Sequence, residues 1–125
     1  MIARPAASLA GLRVLIVEDE MIIALEIESM LRALGCEVVG PVGTLNSALR
    51  LARTEALDAA VLDVNLHGEK VFPVADELQA RGIPFLFATG YGAWTMPEEW
   101  RGPCRLDKPF RSEELEKQMR SISGR

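Results

Sequence analysis

Five polar residues of this 125-residue chain have the types and spacing to act together. Glu18 and Asp19 follow the apolar run Arg13-Val14-Leu15-Ile16-Val17, and Asp63 follows Ala59-Ala60-Val61-Leu62. Thr89 follows Pro84-Phe85-Leu86-Phe87-Ala88, and Lys108, with Pro109 behind it, follows Cys104-Arg105-Leu106. Each stands where a strand ends, so parallel strands would bring all five to one rim. Three carboxylates at one rim disfavour each other's ionised forms. A hard divalent ion such as Mg2+, together with the Lys108 ammonium, balances their three negative charges.

A carboxylate beside a dication and a fixed ammonium can attack electrophilic phosphorus, because both cations neutralise the charge that gathers on the phosphoryl oxygens. Asp63 is the candidate nucleophile: it stands alone, whereas the adjacent Glu18 and Asp19 read as a metal-holding arm. The Thr89 hydroxyl can donate to a phosphoryl oxygen, and Asn65 can offer its backbone carbonyl to the metal. A cis Lys108-Pro109 bond would aim the ammonium inward.

The elements that must position these residues are legible as an alternation of short apolar runs with segments of helical period, the pattern of a parallel sheet with crossover helices. Residues 13–17 form a β-branched run suited to a central strand buried on both faces. A helix follows over 20–34, with Ile23, Ile27, Met30, Leu31 and Leu34 on its stripe and Gly35 at its C-terminal end. A weaker strand, Glu37 to Gly40 with Cys36, is expected to end at Pro41 and Gly43. Thr44 then caps a helix carrying Leu45, Ala48, Leu49 and Ala52.

The third strand, Ala59 to Leu62, ends in Asp63. Its helix bears Val71, Val74, Ala75 and Leu78, tolerates Pro73 in the first turn and is closed by Gly82. After the fourth strand, Pro84 to Ala88, the segment from Ala93 to Gly102 has no stripe longer than a turn, so a short helix or loop is expected. A brief fifth strand, Cys104 to Leu106, leads to a helix capped by Ser112, with Leu115, Met119 and Ile122 facing inward. Five such units with right-handed crossovers make a flavodoxin-like, doubly wound α/β fold of strand order 2-1-3-4-5 with a short or irregular fourth helix. Its ligand crevice lies at the ends of strands one and three. This order sets Cys36 and Cys104 at opposite edges, about 19 Å apart at ~4.8 Å per strand, which excludes a disulfide between them. Both are expected to be buried thiols.

Composition restricts the function. The chain is 49% hydrophobic and 26% charged, that of an ordinary globular protein, and its length suits one domain, assigned to residues 12–125 behind a frayed tail at 1–11. A net charge of −4 without a long basic run argues against nucleic acid or an anionic membrane surface as direct partner. No apolar run approaches the roughly 18 residues of a membrane span. Two unpaired cysteines and no signal peptide point to a reducing cytoplasm.

At the rim residues the chain resembles the receiver domains of two-component response regulators, over about residues 13 to 123. Val17-Glu18-Asp19-Glu20 is similar to the family's acidic pair, Leu62-Asp63-Val64-Asn65-Leu66 to its phosphoacceptor segment, Ala88-Thr89 to its switch threonine and Asp107-Lys108-Pro109-Phe110 to its lysine-proline motif. A narrower likeness lies in Pro84-Phe85-Leu86-Phe87-Ala88-Thr89-Gly90-Tyr91, which resembles the motif of the FAT GUY regulators. Those are mostly single-domain receivers of alphaproteobacteria, several tied to the general stress response.

The resemblance implies that Asp63 takes a phosphoryl group from a sensor histidine kinase or phosphotransfer protein. It also implies that Glu18 and Asp19 hold Mg2+, one of them through water. Such a chain is a regulatory phosphoacceptor assisting its own phosphorylation and dephosphorylation, and it signals to an unidentified downstream protein or passes the group on. Two departures from the family stand out. Arg105 replaces the usual switch aromatic, leaving Tyr91 or the Trp94 segment to signal, and His67-Gly68 follows Asp63 where a proline and a later glycine are usual.

Blander readings accompany these. His67 reads as an exposed loop residue, and Trp94 and Trp100 either cover the core or anchor a partner. Glu113, Glu114, Arg111, Lys117 and Arg120 read as a solvated helix face. Two rival functions remain: a scaffold that is never phosphorylated, and a phosphohydrolase working through an aspartyl phosphate. Asn65 stands where such a hydrolase usually has its second acid.

Overall fold

The computed structural model describes residues 9–90, 96–100 and 105–124. Seven strands and four helices alternate through them: β1 (Arg13–Val17), α1 (Met21–Ala33), β2 (Glu37–Val42), α2 (Leu45–Thr54), β3 (Ala59–Asp63), β4 (Asn65–Leu66), β5 (Glu69–Lys70), α3 (Phe72–Ala80), β6 (Phe85–Thr89), β7 (Arg105–Asp107) and α4 (Ser112–Ser123). Five strands form a parallel sheet of order β2-β1-β3-β6-β7, the 2-1-3-4-5 order expected from the sequence.

The sheet divides two cores. Successive strand residues face opposite sides, so Leu15, Val17, Ala60, Leu62 and Phe87 pack with Ala48, Ala52, Val74 and Leu78 of α2 and α3. Val14, Ile16, Val61, Leu86 and Ala88 pack with Ile27, Leu31, Leu115 and Met119 of α1 and α4. Helices cover both faces, which is why the central strands read as unbroken apolar runs. No helix among the described residues is long and apolar enough to cross a membrane.

Several local expectations change. β2 continues through Pro41 to Val42, with a cis Gly40-Pro41 bond and a register shift against β1 between Leu15 and Val17. Proline is tolerated because β2 is an edge strand and needs no N–H on its outer side. Ser112 is the first residue of α4 and not its cap. Arg111 occupies the cap position, where its backbone N–H donates to the Glu114 carboxylate at 2.8 Å. Residues 9–11, assigned to the tail by their composition, are packed: Leu9 is buried, and the Gly11 N–H donates to the Gly35 carbonyl at 2.8 Å. Gly35, at φ +90, has Ala10 so near that a Cβ there would lie 3.0 Å from its Cα, so both its conformation and the space call for glycine. Thr44 caps α2 as expected, accepting from Ser47 N–H at 3.2 Å.

Trp100 closes a short 3-10 turn, Glu98–Trp100, and is 5% exposed. It stacks on Phe72 at 6.1 Å between ring centroids and meets Phe85 and Phe87 at 5.9 and 6.0 Å. It belongs to the core and is not a partner anchor. Trp94, Tyr91 and Cys104 lie outside the described residues. Cys36, just before edge strand β2, is buried as expected, and burial pushes its thiol above the ordinary range. On α4, Arg120 is half-buried and pairs with Glu116 at 2.6 Å, so it departs from the fully solvated face expected of it.

Candidate functional site

Backbone pairing places the rim residues. Asp63, at the end of β3, lies opposite Ala88 of β6, and Thr89 lies opposite Asp107 of β7. The Lys108 N–H donates to the Thr89 carbonyl at 2.9 Å, and the Glu18 N–H donates to the Val42 carbonyl at 2.9 Å. Thus Glu18, Asp63, Thr89 and Lys108 are held by the sheet itself. The Lys108-Pro109 bond is cis.

The Lys108 ammonium lies 2.6 Å from Glu18 Oε1 and 3.5 Å from Asp63 Oδ1. Glu18 is 3% exposed and Asp63 6%. The second Glu18 oxygen, Oε2, accepts from the Glu20 N–H at 3.0 Å. Asp19 Oδ2 accepts from the His67 N–H at 2.9 Å, with His67 Nδ1 at 3.6 Å from the same oxygen. A cleft of about 480 Å3 opens above them, lined by Asp19, Glu20, Ile23, Asp63, Asn65, Gly90 and Lys108. Thr89 is fully buried beneath it.

Charge is out of balance here. Burial, then the Glu18 charge, pushes the Asp63 carboxyl up to about 7 against the pull of Lys108. Burial also opposes the charged form of Asp19, yet the His67 amide and a hydrogen bond with Asp63 outweigh it and hold Asp19 below its usual value. Lys108 is pulled down by burial and pushed further up by its bond to Glu18 and by the Asp63 charge. One ammonium facing three carboxylates leaves the ionised form of Asp63 disfavoured, a penalty that a bound cation would relieve. Asp19, Asp63 and Asn65 line the cleft together, and carboxylate oxygens suit a hard divalent ion.

Two features were not anticipated. Glu20 joins Glu18 and Asp19 in a group whose carboxylate oxygens lie within 4.8 Å of one another; its position at the start of α1 was the available sign. His67, read as a bystander, has an exposed side chain, but its backbone engages Asp19. The cause is a hairpin of β4 and β5, pairing Asn65 with Lys70 and Leu66 with Glu69. His67 at φ 51 and Gly68 at φ +88 form its two-residue turn. Two consecutive positive φ values are the requirement of a type I′ turn, and histidine enters that region more readily than most residues.

Residues 14–120 match the profile described as the response regulator receiver domain. The chain belongs to this family. Among curated relatives, the receiver domain is 32% identical over 107 residues to the transcriptional regulatory protein PdtaR of Mycobacterium tuberculosis, covering 82% of this chain and 52% of that protein. It thus spans about half the length of that relative. Among solved structures it resembles SdrG from Sphingomonas melonis Fr1, with 42% identity, a TM-score of 0.81, and 90% of this chain and 96% of that one covered. It also resembles the receiver domain of the sensor histidine kinase PA1611 from Pseudomonas aeruginosa PAO1, with 28% identity, a TM-score of 0.79, and 93% and 100% covered. That structure has a magnesium ion coordinated in its active-site cleft.

Proposed function

We propose that this receiver domain is a single-domain response regulator of the FAT GUY type, accepting a phosphoryl group on Asp63 from a phosphohistidine of a sensor histidine kinase or phosphotransfer protein. The observation that carries this reading is Lys108 Nζ set between Glu18 and Asp63 at the foot of an open cleft. An Asp63 oxygen bonds to phosphorus as the P–N bond of the donor breaks, and the electron pair stays on the donor imidazole nitrogen, which takes up a proton. Lys108 leans toward the new oxygens. Thr89 offers its hydroxyl once the buried end of β6 adjusts. Asp19, Asp63 and the Asn65 carbonyl, with Glu18 behind them, would hold Mg2+, which would supply positive charge opposite the phosphoryl oxygens.

Three exposed apolar residues on α1, Met21, Ile22 and Leu25, adjoin Asp19 and are 75%, 76% and 55% exposed. Large apolar side chains grouped beside a reactive cleft favour a protein donor over a small phosphoester. A phosphoryl group carries about two charges in place of one, which strengthens the pull on Lys108 and Thr89 and biases the segments that bear them. Tyr91 or the Trp94 segment is the candidate switch, and the output is contact with a downstream protein or handoff of the group, in the cytoplasm and within a general stress response, as for several FAT GUY regulators. The domain acts as a regulatory phosphoacceptor and not as a turnover enzyme.

The test is intact-mass measurement after incubation with Mg2+ and acetyl phosphate or a phosphorylated kinase. A single base-labile phosphoryl adduct is expected on the wild type and none on Asp63→Asn. Absence of an adduct from every donor supports a phosphorylation-independent scaffold, and continuous phosphate release from an ester supports a hydrolase.

A further inference from the structure

The His67 backbone amide reaches across from the hairpin to Asp19, 48 residues away in sequence, and meets one carboxylate oxygen at 2.9 Å. The Asp19 side chain is only 13% exposed and lines the cleft together with Asp63 and Asn65. An amide hydrogen bond to Oδ2 restricts rotation of the carboxylate and so helps set the direction in which its oxygens face the cleft. The amide can point this way only because His67 is in the left-handed region, and that conformation is maintained by Gly68 behind it and by the Asn65–Lys70 and Leu66–Glu69 pairs on either side. Leu66 of β4 roots the hairpin in the core, whereas its tip and outgoing strand, His67, Gly68, Glu69 and Lys70, are exposed and free to serve the cleft.

We propose that the hairpin is a clamp on the cation site, and that His67, through its backbone N–H and not its imidazole, is a positioning residue that orients Asp19 toward the divalent ion. The inference rests on the phosphoacceptor reading above. The clamp ties the Asp19 carboxylate to the chain that runs on from the nucleophile, so one short hairpin links Asp19 to the strand end that the sheet holds at Asp63.

Three variants separate the roles. His67→Gly keeps the N–H, loses the imidazole and accepts the positive φ. His67→Pro removes the N–H and cannot adopt that φ. Gly68→Val keeps every site side chain, and a Cβ there meets nothing within 4 Å, so it acts through the turn conformation alone. The measurements are the Mg2+ dissociation constant from titration of amide chemical shifts and the melting temperature without Mg2+. Affinity within about twofold of wild type is expected for His67→Gly, and a loss of about tenfold for His67→Pro and Gly68→Val, a difference of about 1.4 kcal/mol. The metal-free melting temperature of His67→Gly should stay close to that of wild type, while turn strain in Gly68→Val lowers its own.

Wild-type Mg2+ affinity in His67→Pro overturns the clamp while leaving the phosphoacceptor reading intact. An equal loss in His67→Gly overturns the backbone role. A wild-type chain that takes up no Mg2+ overturns both readings. If His67→Pro melts much lower, the Gly68→Val affinity decides between clamp and no clamp.

Discussion

Lys108 and Glu18 form a pair in which each supports the other's burial. The Glu18 side chain is 1% exposed and that of Lys108 13%. Removing one partner leaves a buried charge without its counter-ion, which costs about 3–5 kcal/mol, whereas removing both is far cheaper. Lys108→Met should therefore lower stability by several kcal/mol in chemical denaturation, and the double variant Glu18→Gln, Lys108→Met should recover much of the loss. Asp63 behaves in the opposite sense. Its folded value of about 7 lies above the ordinary 3.8, so between those values the folded state binds more protons than the unfolded one. Stability from this group is fully present below pH 3.8 and is lost as pH rises toward and through 7. Denaturation of the metal-free protein from pH 4 to 7 should show that decline, and Asp63→Asn should remove it and be more stable than wild type at pH 7.

At the scale of elements, the 3-10 turn Glu98–Trp100 is anchored by Trp100, which contacts the rings of Phe72, Phe85 and Phe87. Trp100→Ala should cost about 3–5 kcal/mol, as for other buried aromatics, measured by urea unfolding. The sequence showed these elements unevenly. The strands were legible because burial on both faces leaves unbroken runs such as Val14 to Val17, and α2 was legible because Thr44 and its apolar stripe agree. The β4–β5 hairpin was not, since His67 holds a positive φ without the Asn-Gly or Asp-Gly pair that usually announces one. The Ser112 cap was misplaced by one residue because Glu114 reaches back to the Arg111 amide, a contact that composition does not reveal. Trp100 was ambiguous because a lone aromatic in a weakly patterned segment reads equally as core or as anchor. The site was legible because its residues end strands, yet the engagement of Glu18 by Lys108 and of Asp19 by His67 depends on distances that only the folded chain sets.

For the molecule as a whole, a cation that binds only the folded state raises stability by RT ln(1 + [L]/Kd), about 2.7 kcal/mol at a hundredfold excess over Kd. Mg2+ should raise the melting temperature of the wild type in a concentration-dependent way, and Asp19→Ala should abolish most of that rise. The two cores flank the sheet on either side, and the rim at one end of its strands has a spacing of its own. That spacing comes from β3, β6 and β7, whose ladder sets Asp63 beside Ala88, Thr89 beside Asp107, and the Lys108 amide on the Thr89 carbonyl. Durability and reactivity are consequently separate dials: interior substitutions that soften the protein, Trp100→Ala among them, should leave the rate of acyl phosphate formation nearly untouched until the molecule melts.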